Sequence, residues 1–312
     1  TDDLCSGGTL NYNLQGNING NNGVTSEFTY TVASSDPGNV PAGADRVAAS
    51  NANITDSYTN TTGSPVTITY TITPISDPEA CTGTDFTYTV TVNPEPVGSD
   101  DTETICSDVG LNYDLQNNID GNNGVTSEFT YTVVSSDPGN VPAGADRVAA
   151  SNANITDTYT NLTGSPVTIT YTITPISDPE GCSGNTFTYT VTVNPEPDGS
   201  NDTQTICSGG SLNYDLQNNI DGNNGVTSEF TYTVVSSDPG NVPAGADRVA
   251  ASNANITDSY TNTTGSAVTI TYTITPISDP ETCTGDDFTY IVTVNPEPVR
   301  SEDTDKLYNE GT

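Results

Sequence analysis

The chain repeats itself at long range. Cysteines stand at positions 5, 106 and 207, and a second set stands at 81, 182 and 283, so the same order of motifs returns every 101 residues. Between Leu111–Glu180 and Leu212–Glu281 only three positions differ, Thr158/Ser259, Leu162/Thr263 and Pro166/Ala267. Solenoid turns recur every ~20–50 residues, so a period this long is that of a whole domain. The implied units are 1–98, 99–199 and 200–299, followed by a tail, 300–312. They are joined by "NPEPVGSDD" and "NPEPDGSND", whose prolines stiffen a short connector.

Within each unit the apolar residues alternate with polar ones. In the first, "TLNYNLQ" sets Leu10, Tyr12 and Leu14 on one face, and "SEFTYTV" does the same with Phe28, Tyr30 and Val32. "VTITYTIT" carries Val66, Ile68, Tyr70 and Ile72, and "DFTYTVTV" carries Phe86, Tyr88, Val90 and Val92. Alternation of period two predicts strands with one buried and one wet face. "NITDSYT" is a weaker strand, because Asp56 falls on the same face as Ile54 and Tyr58. Threonine fills the outer rows because it is polar enough for water and β-branched enough to favour an extended backbone. Turn residues separate the runs in "NGNNG", "SDPGNVPAG", "NTTGSP" and "SDPEACTG". No segment reads as a helix. About seven short strands in ~100 residues predict an immunoglobulin-like β-sandwich. The expected fold is therefore all-β, three tandem sandwiches forming an elongated rod.

Composition narrows the possible partners. With 40 acidic residues against 5 basic ones, the net charge is −35, and histidine, tryptophan and methionine are absent. Such a surface repels nucleic acid and anionic lipid and attracts hard cations. High charge also fits disorder, but the strict alternation argues for a folded chain. No stretch approaches the ~20 apolar residues of a membrane span. The opening "TDDLCSGG" is not a signal peptide and suits a mature secreted chain or a piece of a longer one.

If the first strand and the hairpin before the last strand meet at one pole of the sandwich, each unit closes its own disulfide. The expected bonds are then Cys5–Cys81, Cys106–Cys182 and Cys207–Cys283. The rival Cys81–Cys106 would have to bridge a last strand of about 10 residues, ~33 Å, against a limit of about 7 Å between Cα atoms. Closing loops of this size is worth about 4.5 kcal/mol in the chain-entropy model. Such bonds point to an oxidising compartment, extracellular or at the cell surface.

The acids sit on loops and connectors. On the same layout, Asp178 and Glu180 should face Glu95, Asp100 and Asp101, while Asp279 and Glu281 should face Glu196 and Asp202. Converging carboxylates repel unless a cation lies between them, so Ca²⁺ is the expected ion at these junctions. "DGNNG" at Asp120–Gly124 and Asp221–Gly225 faintly resembles a calcium loop but reads better as a hairpin turn. Arg46, Arg147 and Arg248, each following an aspartate, read as a structural ion pair or a bracket for carbonyl groups. Paired carboxylates in a cleft, a histidine base and a phosphate loop are all missing from the pattern, so no enzyme is expected.

The stretches "ICSGG", "LNYDLQ", "VTITYTITP" and "FTYTVTVNPEP" resemble PKD-like, immunoglobulin-type repeats of large cell-surface and secreted adhesins of Bacteroidota. The resemblance implies stalks, fibres and adhesive layers outside the cell. The Trp-Asp-Phe-Gly-Asp type motif of other PKD domains is not matched, so no ligand role is carried over from it. Two roles are expected in order. The first is a structural subunit that self-associates into filaments or continues a longer repeat array. In it, residues 300–312, where Leu307 aligns with Ile206, would serve as a strand added to the edge of a neighbouring molecule. The second is a glycan- or surface-binding adhesin module.

Overall fold

The computed structural model describes residues 1–298; the tail expected to donate a strand lies outside them. The first repeat contains β1 (Asp2–Cys5), the single-turn helix α1 (Gln15–Asn19), β2 (Ser26–Ser34), β3 (Arg46–Ser50), β4 (Val66–Ser76) and β5 (Phe86–Asn93). The second repeats them as β6 (Asp101–Cys106), α2 (Gln116–Asp120), β7 (Ser127–Ser135), β8 (Arg147–Ser151), β9 (Val167–Ser177) and β10 (Phe187–Asn194). The third has β11 (Asp202–Cys207), β12 (Gly210–Ser211), α3 (Gln217–Asp221), β13 (Ser228–Ser236), β14 (Arg248–Ser252), β15 (Ser259–Tyr260), β16 (Val268–Ser278) and β17 (Phe288–Asn295).

Each repeat is built on one five-stranded sheet, ordered β1-β5-β4-β2-β3 in the first. Four of its strands are antiparallel neighbours, but β1 runs parallel to β5, placing Cys5 opposite Asn93. The opposing layer is thin. It pairs Thr9 with Ser57 and Tyr12 with Ile54 through isolated bridges, and in the third repeat β12 pairs with β15. The alternation read from the sequence holds along β4, where Val66, Ile68, Tyr70 and Ile72 are buried and the threonines between them face outward. Val40, from the "SDPGNVPAG" loop, is also fully buried, although no periodicity marks it.

Two local expectations change. "TLNYNLQ" does not form a full strand, because after Tyr12 the chain turns into α1. A five-residue helix is too short to show a 3.6-residue apolar period. It is held by polar side chains instead: Asn13 Oδ1 accepts from the Gln15 amide at 3.1 Å, and Gln15 Nε2 donates to Asn19 Oδ1 at 3.0 Å and to the Val24 carbonyl at 2.9 Å. Asp56, the acid on an apolar face, is satisfied by its surroundings. Tyr70 donates its hydroxyl to Asp56 Oδ2 at 2.6 Å, and the Tyr58 hydroxyl lies 2.5 Å from that of Tyr70. Burial, reinforced by the carboxylate, lifts the Tyr70 phenol far above its ordinary range, and burial pushes Tyr58 up to about 12. Arg46 is the expected carbonyl bracket. It donates to the Ala52 and Asn53 carbonyls at 2.8 and 3.0 Å and lies 4.7 Å above the Tyr30 ring.

Candidate functional site

The parallel course of β1 gives each repeat two unlike poles. The last strand ends at the exit pole, beside the repeat's first cysteine. It begins at the entry pole, just after the second cysteine. An eight-residue strand such as β5 spans about 26 Å, far beyond disulfide reach. A repeat therefore cannot join its own two cysteines.

The expected bonds Cys5–Cys81, Cys106–Cys182 and Cys207–Cys283 are accordingly replaced by two bonds that cross between repeats. Cys5 bonds to Cys182 and Cys106 to Cys283, with Cα atoms 5.5 and 5.6 Å apart. Cys81 and Cys207 are free and exposed. The exit pole of each repeat is thus stapled to the entry pole of the next. The sequence-based layout erred on one point: it put the end of the first strand at the pole where that strand begins.

The connector between staple and fold is held by amides. Asn123 donates to the Glu95 carbonyl at 2.8 Å and accepts from the Val97 amide at 3.1 Å. Asn122 donates to the Val97 carbonyl at 3.0 Å, and Asn118 to the Ser99 carbonyl at 2.8 Å. The second junction repeats this. Asn224 meets the Glu196 carbonyl at 2.7 Å and the Asp198 amide at 3.3 Å, and Asn223 meets the Asp198 carbonyl at 2.8 Å. The "GNNG" segment read as a plain turn is therefore the clasp of the next repeat on the connector it receives. Its surplus of asparagines, more than a turn needs, was the signal available in the sequence.

Packing completes the joint. Pro94 and Pro96 are buried. A Cβ on Gly184 would lie 2.0 Å from the Pro96 carbonyl oxygen, and one on Gly98 would lie 2.1 Å from the Phe187 ring. Gly285 against Pro197 and Gly199 against Phe288 reproduce both approaches at 2.0 and 2.2 Å. Only glycine lets backbone and ring come so close.

The nine carboxylates expected to bind calcium are placed separately. Asp100 accepts from the Thr188 amide at 2.6 Å. Asp101 accepts from the Tyr113 hydroxyl at 2.7 Å and its neighbour's amide at 2.8 Å, which together hold its carboxyl below the usual range. Asp202 accepts the equivalent pair, from Tyr214 and Thr203, at 2.7 Å each. Asp178, Glu180 and Asp279 are exposed and Glu281 is half-buried. Glu95 and Glu196 are raised by burial, and Glu196 is raised further by the negative charges of Asp108 and Asp286. Among the described residues, no group of three or more His, Cys, Asp or Glu side chains is arranged to hold a metal ion.

Fold and junction together define a tandem array of β-sandwich repeats of the structural or adhesive kind, linked repeat to repeat by disulfides. The chain belongs to the PKD-like domain family, which matches it three times, over residues 2–96, 103–197 and 204–298. PKD-like repeats are typically non-catalytic modules, and together with disulfides they are typical of extracellular proteins. No helix among the described residues is long and apolar enough to cross a membrane. Comparison with curated proteins finds no match. Among solved structures, human CDH23 EC21-23 is similar at 12% identity and a TM-score of 0.36, covering 94% of this chain and 97% of that one. The human desmocollin-1 ectodomain is similar at 14% identity and a TM-score of 0.26, covering 86% of this chain. The chain spans 54% of that ectodomain's length.

Proposed function

We propose that the chain is a structural segment of an extracellular stalk or filament, stiffened at each junction by a sulfur bond and an amide clasp. The observation that supports this is the pairing of Cys5 with Cys182 and Cys106 with Cys283. A bond inside a sandwich stabilises that sandwich, whereas a bond between successive sandwiches removes the hinge between them. Each closes a separation of 177 residues, worth about 5 kcal/mol in the chain-entropy model. Stiffness suits a spacer that must keep its ends apart.

Small-angle scattering before and after mild reduction tests the reading. The oxidised chain is expected to show one extended maximum dimension. Reduction is expected to broaden the distance distribution while the β-sheet circular dichroism stays unchanged. Identical distributions in both states would remove the sulfur bonds from the account of stiffness. Calcium at the junctions stays within the proposal as a finer point. A higher melting temperature with calcium than with chelator supports it, and coincident melting curves remove it.

The alternative, a glycan- or surface-binding module, draws on a shallow groove repeated in every unit. In the first repeat it is lined by Tyr30, Arg46, Val47, Thr71 and Thr73, with Val47 88% exposed. Binding of the oxidised chain on a glycan array, lost on mutating these residues, would favour that module.

A further inference from the structure

Each junction is clasped by a side-chain amide that the geometry of the clasp makes chemically labile. Asn123 both donates to the Glu95 carbonyl, at 2.8 Å, and accepts from the Val97 amide, at 3.1 Å. A carboxamide does both from separate atoms. The next residue, Gly124, stands at φ +66°, in the left-handed region that favours glycine. The two demands together write Asn-Gly. The second junction writes it again as Asn224-Gly225, with Gly225 at φ +68°. Asn-Gly is the dipeptide that loses its side-chain amide most readily, because glycine has no Cβ to keep its nitrogen away from the preceding Cγ.

The closed junction restrains the atoms such a loss would use. Asn123 Nδ2 is held by the Glu95 carbonyl and Oδ1 by the Val97 amide. The Asn123 carbonyl is packed against the preceding repeat, where a Cβ on Gly63 would lie 2.3 Å from its oxygen. The Gly124 nitrogen donates to the Ile119 carbonyl at 3.0 Å. At the second junction Asn224 is held in the same way by Glu196, Asp198 and Gly164, and Gly225 donates to the Ile220 carbonyl at 3.0 Å. All of these restraints except the last come from the preceding repeat or its connector, so opening the junction releases them together.

We propose that Asn123 and Asn224 are deamidation sites guarded by the closed junction, and that conversion of either one keeps its junction from closing again. In an open junction the Gly124 nitrogen attacks Asn123 Cγ, gives up its proton and expels the side-chain nitrogen as ammonia, leaving a succinimide ring. Water then opens the ring at either carbonyl, to aspartate or isoaspartate. The product side chain is ionised and only accepts, so its oxygen meets the Glu95 carbonyl with no hydrogen between them. Each event also adds a negative charge to a chain that already carries −35. The inference rests on the stapled-rod reading and adds to it a chemical record of opening, with the sulfur bond setting how often the amide is exposed.

The test incubates the 312-residue chain in mildly alkaline buffer made with heavy-oxygen water. Pepsin then cuts the protein in acid, which arrests the reaction, and mass spectrometry counts the label taken up. Asn22-Gly23 is the internal standard, the same dipeptide with a side chain that accepts only from the Val24 amide, at 3.3 Å. In the oxidised chain Asn123 and Asn224 should convert more slowly than Asn22 by about tenfold, since both side-chain hydrogen bonds must open first. Cys5→Ser combined with Cys182→Ser should bring Asn123 to within about twofold of Asn22 and leave Asn224 guarded. Cys106→Ser combined with Cys283→Ser should do the reverse.

A second arm tests the consequence. Asn123→Asp, reduced and then reoxidised in a glutathione buffer, should recover Cys5–Cys182 several-fold more slowly than the unmodified chain. Cys106–Cys283 in the same molecules should form at the unmodified rate, which shows that the variant still folds. Equal conversion of Asn22 and Asn123 in the oxidised chain, no acceleration on removing a staple, or equal recovery of the two bonds would overturn the proposal. Peptide maps of the starting protein report Cys5–Cys182 and Cys106–Cys283 independently. Their presence would leave the stapled rod standing when the guarded amides fail, and their absence would remove the rod reading and this proposal with it.

Discussion

The entry poles of the first and second repeats carry nearly the same residues in different surroundings. Gly83 and Gly184, Val24 and Val125, Cys81 and Cys182 occupy matching places in the fold. In the second repeat these positions are packed against the connector and exit pole of the first; in the first they lie open. Because the residues match, the contrast in burial comes from the neighbour. It also separates what these residues do for their own sandwich from what they do for a joint.

Substitutions made in parallel at the two poles can break or sharpen that contrast. The largest effect is expected at the glycines. Gly184→Ala places a methyl group 2.0 Å from a backbone oxygen, an overpacking that costs about 2–3 kcal/mol. Gly83→Ala meets the Pro74 ring at 3.0 Å and the Pro74 carbonyl oxygen at an ordinary 3.5 Å, and should cost less than about 1 kcal/mol. Calorimetry should therefore show a transition lowered by several degrees for the first variant and nearly unmoved for the second. Equal shifts would mean that the junction contributes nothing of its own.

The asparagine clasp comes next. Asn123→Ala leaves the Glu95 carbonyl and the Val97 amide without partners, a loss of about 1–3 kcal/mol. Asn22, its counterpart in the first repeat, accepts only from the Val24 amide, at 3.3 Å. Asn22→Ala should move denaturation midpoints by a few tenths of a kcal/mol at most (about 0.5). Faster proteolysis of the connector in Asn123→Ala alone would locate the damage at the joint.

The smallest effect concerns charge, and it contrasts the two connectors. Glu196 is raised by burial and then by Asp108 and Asp286, whereas Glu95 is raised by burial alone. A carboxyl whose folded pKa lies above its unfolded value binds its proton more tightly in the folded state. Its ionisation costs stability as pH rises from the unfolded toward the folded pKa, and the cost is complete above both. Glu196→Gln should therefore stabilise the second junction modestly at neutral pH and change nothing well below the carboxylate range. Glu95→Gln should do the same more weakly. Melting temperatures measured across that range check the sign, and destabilisation at neutral pH would refute it.

The sheet of each repeat could be read from the sequence because its inner residues alternate and its outer rows are threonine. Val66 to Ile72 and Tyr88 to Val92 needed nothing beyond period two. Val40 and α1 were hidden, since a buried loop residue and a single helical turn have no period to detect. Asp56 looked out of place until the structure brought the Tyr70 hydroxyl onto it from β4. The clasp was half visible, as a run of asparagines with no stated purpose. The disulfide pairing was not visible, because spacing records how far apart two cysteines lie along the chain and not which pole each one reaches.

The sequence by itself determined the unit, its number, its all-β character and the inner face of its strands, because these follow from local alternation and from repetition. Only the tertiary structure decided that β1 lies parallel to β5, which sends the first cysteine of each repeat to the far pole. The direction of one short strand depends on the sheet it joins, and no local pattern encodes it. That direction turns four of the six similar cysteines into links between domains.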